Sequence, residues 1–170
     1  MENIVLVGFM GTGKTTVGRI LATRLCFEFV DVDSAIEASC GMPVSEIFKV
    51  RGEAFFRQQE QRVIRELLPA GNAVVATGGG AVMSPANVAN LKKHGLMICL
   101  TATPASIVGR VGADGTRPLL SAPNKEEIID RLLQERASYY QTADFTVDTT
   151  GLSPEEAAEK IIGFFHRAGG

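Results

Sequence analysis

Asn3-Ile4-Val5-Leu6-Val7-Gly8-Phe9-Met10-Gly11-Thr12-Gly13-Lys14-Thr15-Thr16 is the stretch that decides how the rest of the chain is read. Asn3–Val7 is nearly all apolar, as a strand covered on both faces of a parallel sheet would be. Gly8–Thr15 matches GxxxxGK[ST] at every fixed position. The following segment, Lys14–Leu25, places Val17, Ile20, Leu21 and Leu25 on one stripe, the period of an amphipathic helix. Strand, glycine-rich turn and helix in this order predict a phosphate cradle. Glycines allow positive φ and close approach to a ligand. The amides of the turn point inward as an anion-binding nest. The helix adds free N–H groups and the positive end of its dipole. Within this frame the Lys14 ammonium suits the β- and γ-phosphates of a nucleotide, and the Thr15 hydroxyl suits Mg²⁺.

Four further apolar runs read as strands: Phe29–Val32, Ala73–Thr77, Leu96–Thr101 and Phe145–Asp148. Longer amphipathic segments lie between them. Gly52–Leu68 carries Phe55, Phe56, Val63, Ile64 and Leu67. Ser84-Pro85 and Thr103-Pro104 each read as an N-cap followed by proline at the first helical position. Ser153-Pro154-Glu155-Glu156 adds a capping box to that signal and opens the last helix. Strands alternating with helices predict right-handed βαβ units, a parallel sheet and an α/β fold. Ligands of such sheets bind beyond the carboxyl ends of the strands. No repeat or linker divides the 170 residues, so 1–170 reads as one domain. Gly112–Asn124, rich in Gly, Pro, Ala and Ser and containing Arg117, has the length of a functional lid.

The net charge of −2 lacks the basic excess of a general nucleic-acid binder. No run approaches the ~18 apolar residues of a membrane span. Glu2 stands where a signal peptide needs positive charge. The three cysteines, Cys26, Cys40 and Cys99, form no CxxC and no metal-ligand spacing. They are expected to be small buried hydrophobes in a reducing cytosol. Once the core is assigned, no surplus apolar face remains, and a monomer is expected.

A phosphate cradle does not choose the acceptor. A GTPase-type switch, an ATP-driven machine and a small-molecule kinase all use one. Guanine recognition through NKxD has only Asn124-Lys125-Glu126-Glu127 to draw on, and helix capping explains that tetrapeptide better. Asp31 and Asp33 flank Val32 at the end of the second strand, and strand alternation predicts them on one face. There one carboxylate suits Mg²⁺ and the other an attacking hydroxyl; the plainer alternative is that Asp33 only caps the next helix. Gly78-Gly79-Gly80 predicts a close backbone approach, or else a tight connection, and Thr77 is placed to touch the Mg²⁺ shell. Arg57, Arg117 and Arg136 are suited to carboxylate or phosphate recognition, although each alone is commonly a solvated surface residue. Phosphoryl transfer needs such positive charge over the γ-phosphate.

Taken together these residues resemble the shikimate kinase family. The resemblance rests on Gly8–Thr15, Asp31-Val32-Asp33, Gly52-Glu53 with Phe56-Arg57 and Glu60, Gly78-Gly79-Gly80, Arg117-Pro118-Leu119-Leu120, and Arg136 with Tyr140. It implies an NMP-kinase-like, three-layer α/β/α fold with a five-stranded parallel sheet of order 2-3-1-4-5. It also implies transfer of the γ-phosphate of ATP to the 3-hydroxyl of shikimate in aromatic amino-acid biosynthesis. By the same resemblance, Gly11, Thr12, Gly13, Lys14, Thr15, Thr16, Arg110 and Arg117 surround the nucleotide, with Arg110 beside adenine. Asp33, Arg57, Gly79, Gly80 and Arg136 hold the acceptor, the two arginines clamping its carboxylate. Lys14, Asp33 and Arg117 are the implied catalytic groups, and Thr15 with Asp31 the implied Mg²⁺ ligands. The chain departs from the family in Thr149-Thr150-Gly151-Leu152-Ser153, which lacks the basic and proline pattern of the adenine loop. A kinase of gluconate or another small molecule, and a non-catalytic nucleotide-binding regulator, are the alternatives. The Gly52–Glu60 segment and the triple glycine favour shikimate over the first. Intact Lys14, Thr15, Asp31 and Asp33 favour chemistry over the second.

Overall fold

In the computed structural model, which describes residues 2–66, 68–111 and 123–169, β1 (Asn3–Val7) is buried along its whole length. Its side chains divide by parity between two cores. Val5 and Val7 join one, Ile4 and Leu6 the other. β2 (Glu28–Asp31), β3 (Ala73–Ala76), β4 (Gly95–Thr101) and β5 (Phe145–Asp148) complete a five-stranded sheet of order β2-β3-β1-β4-β5. All four pairings are parallel, with Leu6 opposite both Ala76 and Ile98. This is the expected order and class. A central strand between parallel neighbours must be apolar on both faces, which is why β1 shows no polar alternation.

Helices cover both faces. α1 (Lys14–Leu25) and α8 (Pro154–Ala168) lie on one, contributing Val17, Leu21, Ala158 and Ile161 to its core. The other face carries α2 (Val32–Cys40), α3 (Val44–Arg51), α4 (Glu53–Glu66), α5 (Pro85–His94), α6 (Pro104–Val111) and α7 (Lys125–Tyr140). Their buried contributions to its core include Ile36, Ile47, Ile64, Leu91, Ile107 and Ile129. The capping signals behave as expected in α5 and α8. Ser84 Oγ accepts from the Asn87 amide, and Ser153 with Glu156 forms a complete capping box. Asn124 stands at the N-cap of α7, but its side chain makes no capping hydrogen bond.

Three expectations change. The second strand ends at Asp31, and Val32 opens α2 instead of closing the strand. Gly52–Leu68 is not one unbroken helix from its first residue: Gly52, at φ 85°, separates α3 from α4, which ends at Glu66. Of the cysteines only Cys99 is buried, and burial pushes its thiol up to about 11. Cys26 is exposed because it ends α1 in the left-handed conformation (φ 55°), at the surface. Residues 112–122 of the expected lid, Arg117 among them, lie outside the described residues. Among the described residues no helix is long and apolar enough to cross a membrane.

Leu21 is fully buried between α1, α8 and the sheet, whereas Val50 on α3 is 62% exposed. Leu21→Ala is expected to lower the unfolding free energy by about 2–5 kcal/mol, and Val50→Ala by less than about 0.5 kcal/mol. Denaturant titration of the two variants checks this, and equal losses would misplace the core.

Candidate active site

The turn after β1 is built from backbone that tolerates no side chain. Gly8 has φ 138°, and a Cβ there would collide with the Leu100 carbonyl oxygen. Gly13, at φ 98°, is the N-cap residue of α1, and that helix has neither a side-chain cap nor an acid in its first turn. α2, α5 and α8 all spend an oxygen on their first-turn amides. At α1 the uncapped amides and the helix dipole face the glycine turn, the arrangement that favours an anion. The Thr12 hydroxyl is buried and braces the turn by donating to the Phe9 carbonyl at 2.8 Å. Lys14 Nζ donates to the carbonyls of Gly8 (2.6 Å) and Phe9 (2.8 Å), which holds the ammonium across the turn.

Asp31 and Asp33 reach this region by a route the strand pattern did not foresee. Asp31 ends β2 and its Oδ1 accepts from the Ser34 amide at 3.0 Å, so Asp31, not Asp33, caps α2. Its Oδ2 accepts from the Thr15 hydroxyl at 3.4 Å. Asp33 lies in the first turn of α2. The two carboxylates therefore meet by a helix turn and not by strand alternation. Both line a cleft of about 360 Å³ with Lys14, Thr15, Gly78 and Gly79. Thr77 also lines it, but its hydroxyl donates to the Leu6 carbonyl at 3.1 Å and so extends the sheet ladder. Among the described residues no three His, Cys, Asp or Glu side chains cluster as metal ligands. The Asp31 carboxylate beside the Thr15 hydroxyl is an all-oxygen set. It fits Mg²⁺, which is commonly held by one or two carboxylates together with substrate phosphates.

The glycine cluster makes room for three charged side chains in turn. A Cβ on Gly78 would lie 2.9 Å from Asp33 Oδ1 and 3.4 Å from Glu60 Oε2. On Gly79 it would lie 3.5 Å from Arg136 Nη1, and on Gly80 only 2.5 Å from Arg57 Nη2. None of the three needs positive φ; the demand is for space. Arg57, from α4, pairs with the buried Glu60 at 3.0 Å and the exposed Glu53 at 3.5 Å. Arg136, from α7, stands over the Phe9 ring at 5.5 Å from its centroid. Two guanidiniums from different helices thus converge on adjacent glycines, beside the Asp33 carboxylate. Burial raises the pKa of Glu60; Arg57 opposes the rise, and negative Asp33 adds to it.

A second cleft, of about 370 Å³, lies on the other side of the glycine turn. Gly11, Gly13 and Thr16 line both clefts, so the turn forms the wall between them. Arg110 enters this second cleft, fixed by bonds from Nη1 to Thr149 Oγ1 and from Nη2 to the Thr149 carbonyl, both 2.9 Å. It also reaches the Gly11 carbonyl at 3.3 Å. The loop that departs from the family pattern lines the same cleft, through Thr149, Leu152 and Ser153, with Pro154 next to them. Thr149 was not singled out for any role in the sequence reading. Its hydroxyl faces the carbonyls of Thr12 (3.1 Å) and Thr101 (2.9 Å), and only the fold brings those residues to it. Thr149 directly follows the half-polar strand Phe145–Asp148, which gives it no local signal.

A family model described as shikimate kinase matches residues 10–166. The shikimate kinase of Thermodesulfovibrio yellowstonii is 50% identical over 98% of this chain and 96% of the relative. That of Thermoanaerobacter pseudethanolicus is 44% identical over 98% of both. The solved structure of shikimate kinase from Acinetobacter baumannii in complex with shikimate superposes with a TM-score of 0.92, at 38% identity, covering 99% of this chain and 94% of that one. The match in sequence and in fold runs from end to end, and this chain belongs to the shikimate kinase family.

Proposed function

We infer that this chain is a shikimate kinase, transferring the γ-phosphate of ATP to the 3-hydroxyl of shikimate to give shikimate 3-phosphate and ADP. The observation that carries this reading is the row Gly78-Gly79-Gly80, which admits Asp33, Arg136 and Arg57 in succession beside the cleft that holds Lys14 and Thr15. An acceptor with one carboxylate and an attacking hydroxyl matches two guanidiniums and one carboxylate in that order. A neutral polyol would offer the arginine pair no carboxylate beyond the Glu53 and Glu60 contacts that Arg57 already makes.

Phosphoryl transfer asks the protein for alignment and charge more than for covalent chemistry. The glycine turn and Lys14 hold the phosphates. The adenine end occupies the cleft lined by Arg110, Leu152 and Pro154. Arg57 and Arg136 take the acceptor carboxylate, which turns the hydroxyl towards Asp33; Asp33 accepts its proton or its hydrogen bond. Thr15 and Asp31 would hold Mg²⁺, which when bound neutralises charge on the β- and γ-phosphates. Arg117 is proposed to add positive charge at the transferred group. A cytoplasmic monomer completes the proposal: both substrates are small soluble anions, and the exposed large apolar side chains among the described residues are few and dispersed in sequence (Phe48, Val50, Met83, Tyr139).

The deciding experiment is a coupled ATP-turnover assay at fixed Mg²⁺, run in parallel with shikimate, gluconate, a nucleoside monophosphate and no acceptor. Turnover with shikimate alone is expected; turnover with another acceptor would discard the assignment. Lys14→Ala is expected to reduce kcat by roughly 100-fold or more in the same assay, the scale on which removing one preorganised charge acts.

Gly80→Ala tests the row of glycines directly. The added methyl meets the end of a flexible side chain, so the variant is expected to fold, with Arg57 displaced. The KM for shikimate should rise about tenfold, within the range for a hydrogen bond to a charged group. The KM for ATP should stay near its original value. An unchanged shikimate KM would remove Arg57 from the acceptor site.

Glu60 gives a pH prediction. Its pKa is raised above 4.5 on folding, so the folded protein binds that proton more tightly than the unfolded chain. Its contribution to stability is intact below about pH 4.5 and is lost as the pH rises through the folded value. Glu60→Gln cannot ionise, so its melting temperature relative to the parent protein is expected to rise between pH 4 and pH 8. Parallel melting curves across that range would contradict the raised pKa.

A further inference from the structure

Tyr140 ends α7 and is 8% exposed, while its neighbour Tyr139 is 38% exposed. A buried phenol needs a partner for its hydroxyl, and this one donates to the Gly79 carbonyl at 2.9 Å. A phenol has a single proton to give, so only its oxygen lone pairs remain for other neighbours. Arg136 lies one turn earlier on the same helix, at the i, i+4 spacing that brings side chains together. Burial raises the pKa of Tyr140, while a hydrogen bond and the positive charge from Arg136 lower it. The guanidinium thus lies close enough to act on the phenol, and the phenol donates to the glycine carbonyl.

The Gly79–Gly80 peptide is part of the softest backbone in the site, since three successive residues lack a Cβ. In a trans peptide the N–H points opposite to the carbonyl. Fixing the Gly79 carbonyl towards Tyr140 therefore also fixes the direction of the Gly80 N–H. Arg136 Nη1 lies 3.5 Å from where a Gly79 Cβ would stand, so the peptide and the guanidinium face one another. Phe9, beneath the guanidinium, supplies an apolar floor but no acceptor for its N–H groups.

We propose that Tyr140 is a positioning residue for the acceptor site, its hydroxyl holding the Gly79–Gly80 peptide and the Arg136 guanidinium in register without touching the acceptor. The proposal rests on the reading that Arg136 and the glycine peptide bind a carboxylated acceptor, shikimate. An aromatic ring without the hydroxyl would fill the same core space, leaving both the glycine peptide and the arginine free to turn.

The test compares the parent protein with Tyr140→Phe, Arg136→Ala and the double variant. KM for shikimate, KM for ATP, kcat and melting temperature are measured for each. Tyr140→Phe is expected to raise the shikimate KM roughly 5- to 15-fold, the size of one lost hydrogen bond, with the ATP KM changed by less than about twofold. The double variant is expected to fall well short of the product of the two single effects, because both act on one contact. An unchanged shikimate KM in Tyr140→Phe overturns the proposal, as does an equal rise in both KM values or full multiplication in the double variant. A fall in melting temperature with both KM values unchanged marks the phenol as structural and also overturns it. No shikimate turnover by the parent protein would overturn the functional reading and this proposal together. Turnover by the parent with no effect of Tyr140→Phe would overturn the proposal alone.

Discussion

Where β1 leaves the sheet, the Gly8 backbone lies against the Leu100 carbonyl with no space for a side chain between them. That contact lets the chain turn sharply at the carboxyl edge of the central strand and present Gly11 and Gly13 to both clefts. β1 is central because it is apolar on both faces, and parallel neighbours at both sides hold it in register. The phosphate turn thus inherits its position from the most buried strand in the molecule. A turn mounted on an edge strand would have no such rigid base. The adjacent glycines of the Gly78–Gly80 row extend the same principle to β3. Backbone without Cβ atoms lets Asp33, Arg136 and Arg57 approach within a few ångströms of the chain.

The positive charges in the site are held by different partners, not by one common acid. The protein carries a net charge of −2, yet the Arg57 and Arg136 guanidiniums stand beside the glycine row and the Lys14 ammonium lines the adjacent cleft. Arg57 is anchored by the buried Glu60, and Glu60 is in turn disfavoured as an anion by burial and by Asp33. A buried carboxylate near a second carboxylate is stable only with a cation beside it. Arg57 meets that need while keeping its other N–H groups for a ligand. Among the described residues no ion pair holds Arg136; its guanidinium stands over the Phe9 ring, with the Tyr140 hydroxyl nearby. The two arginines are therefore held by different physics, one by an ion pair and the other by an aromatic face and a phenol.

The glycine turn also lies between the two clefts, with Gly11, Gly13 and Thr16 lining both. Arg110 and Thr149 tie it to the ends of β4 and β5, so that side of the turn is held by side chains from the opposite half of the sheet. Leu152 and Pro154 give that cleft an apolar wall, and Arg110 brings a positive charge to it.

Local chemistry is what made much of this protein legible from its residues alone. The strand–glycine–helix unit of residues 3–25 has its period, its turn and its motif in one continuous stretch, and the fold class follows from it. Ser84 and Ser153 caps are likewise local, because the bonds they make lie within three residues. The end of β2 is decided just as locally, by the Ser34 amide donating to Asp31 three residues earlier, but an apolar Val32 between two acids reads equally as strand or as helix. The row of three glycines announced a close approach, but not what approaches. Arg57 and Arg136 themselves lie more than twenty residues away on either side, and their convergence is a consequence of sheet order. Thr149 and Tyr140 act through bonds spanning 137 and 61 residues. No sequence window contains both ends of such a contact, so tertiary structure alone decided those partners.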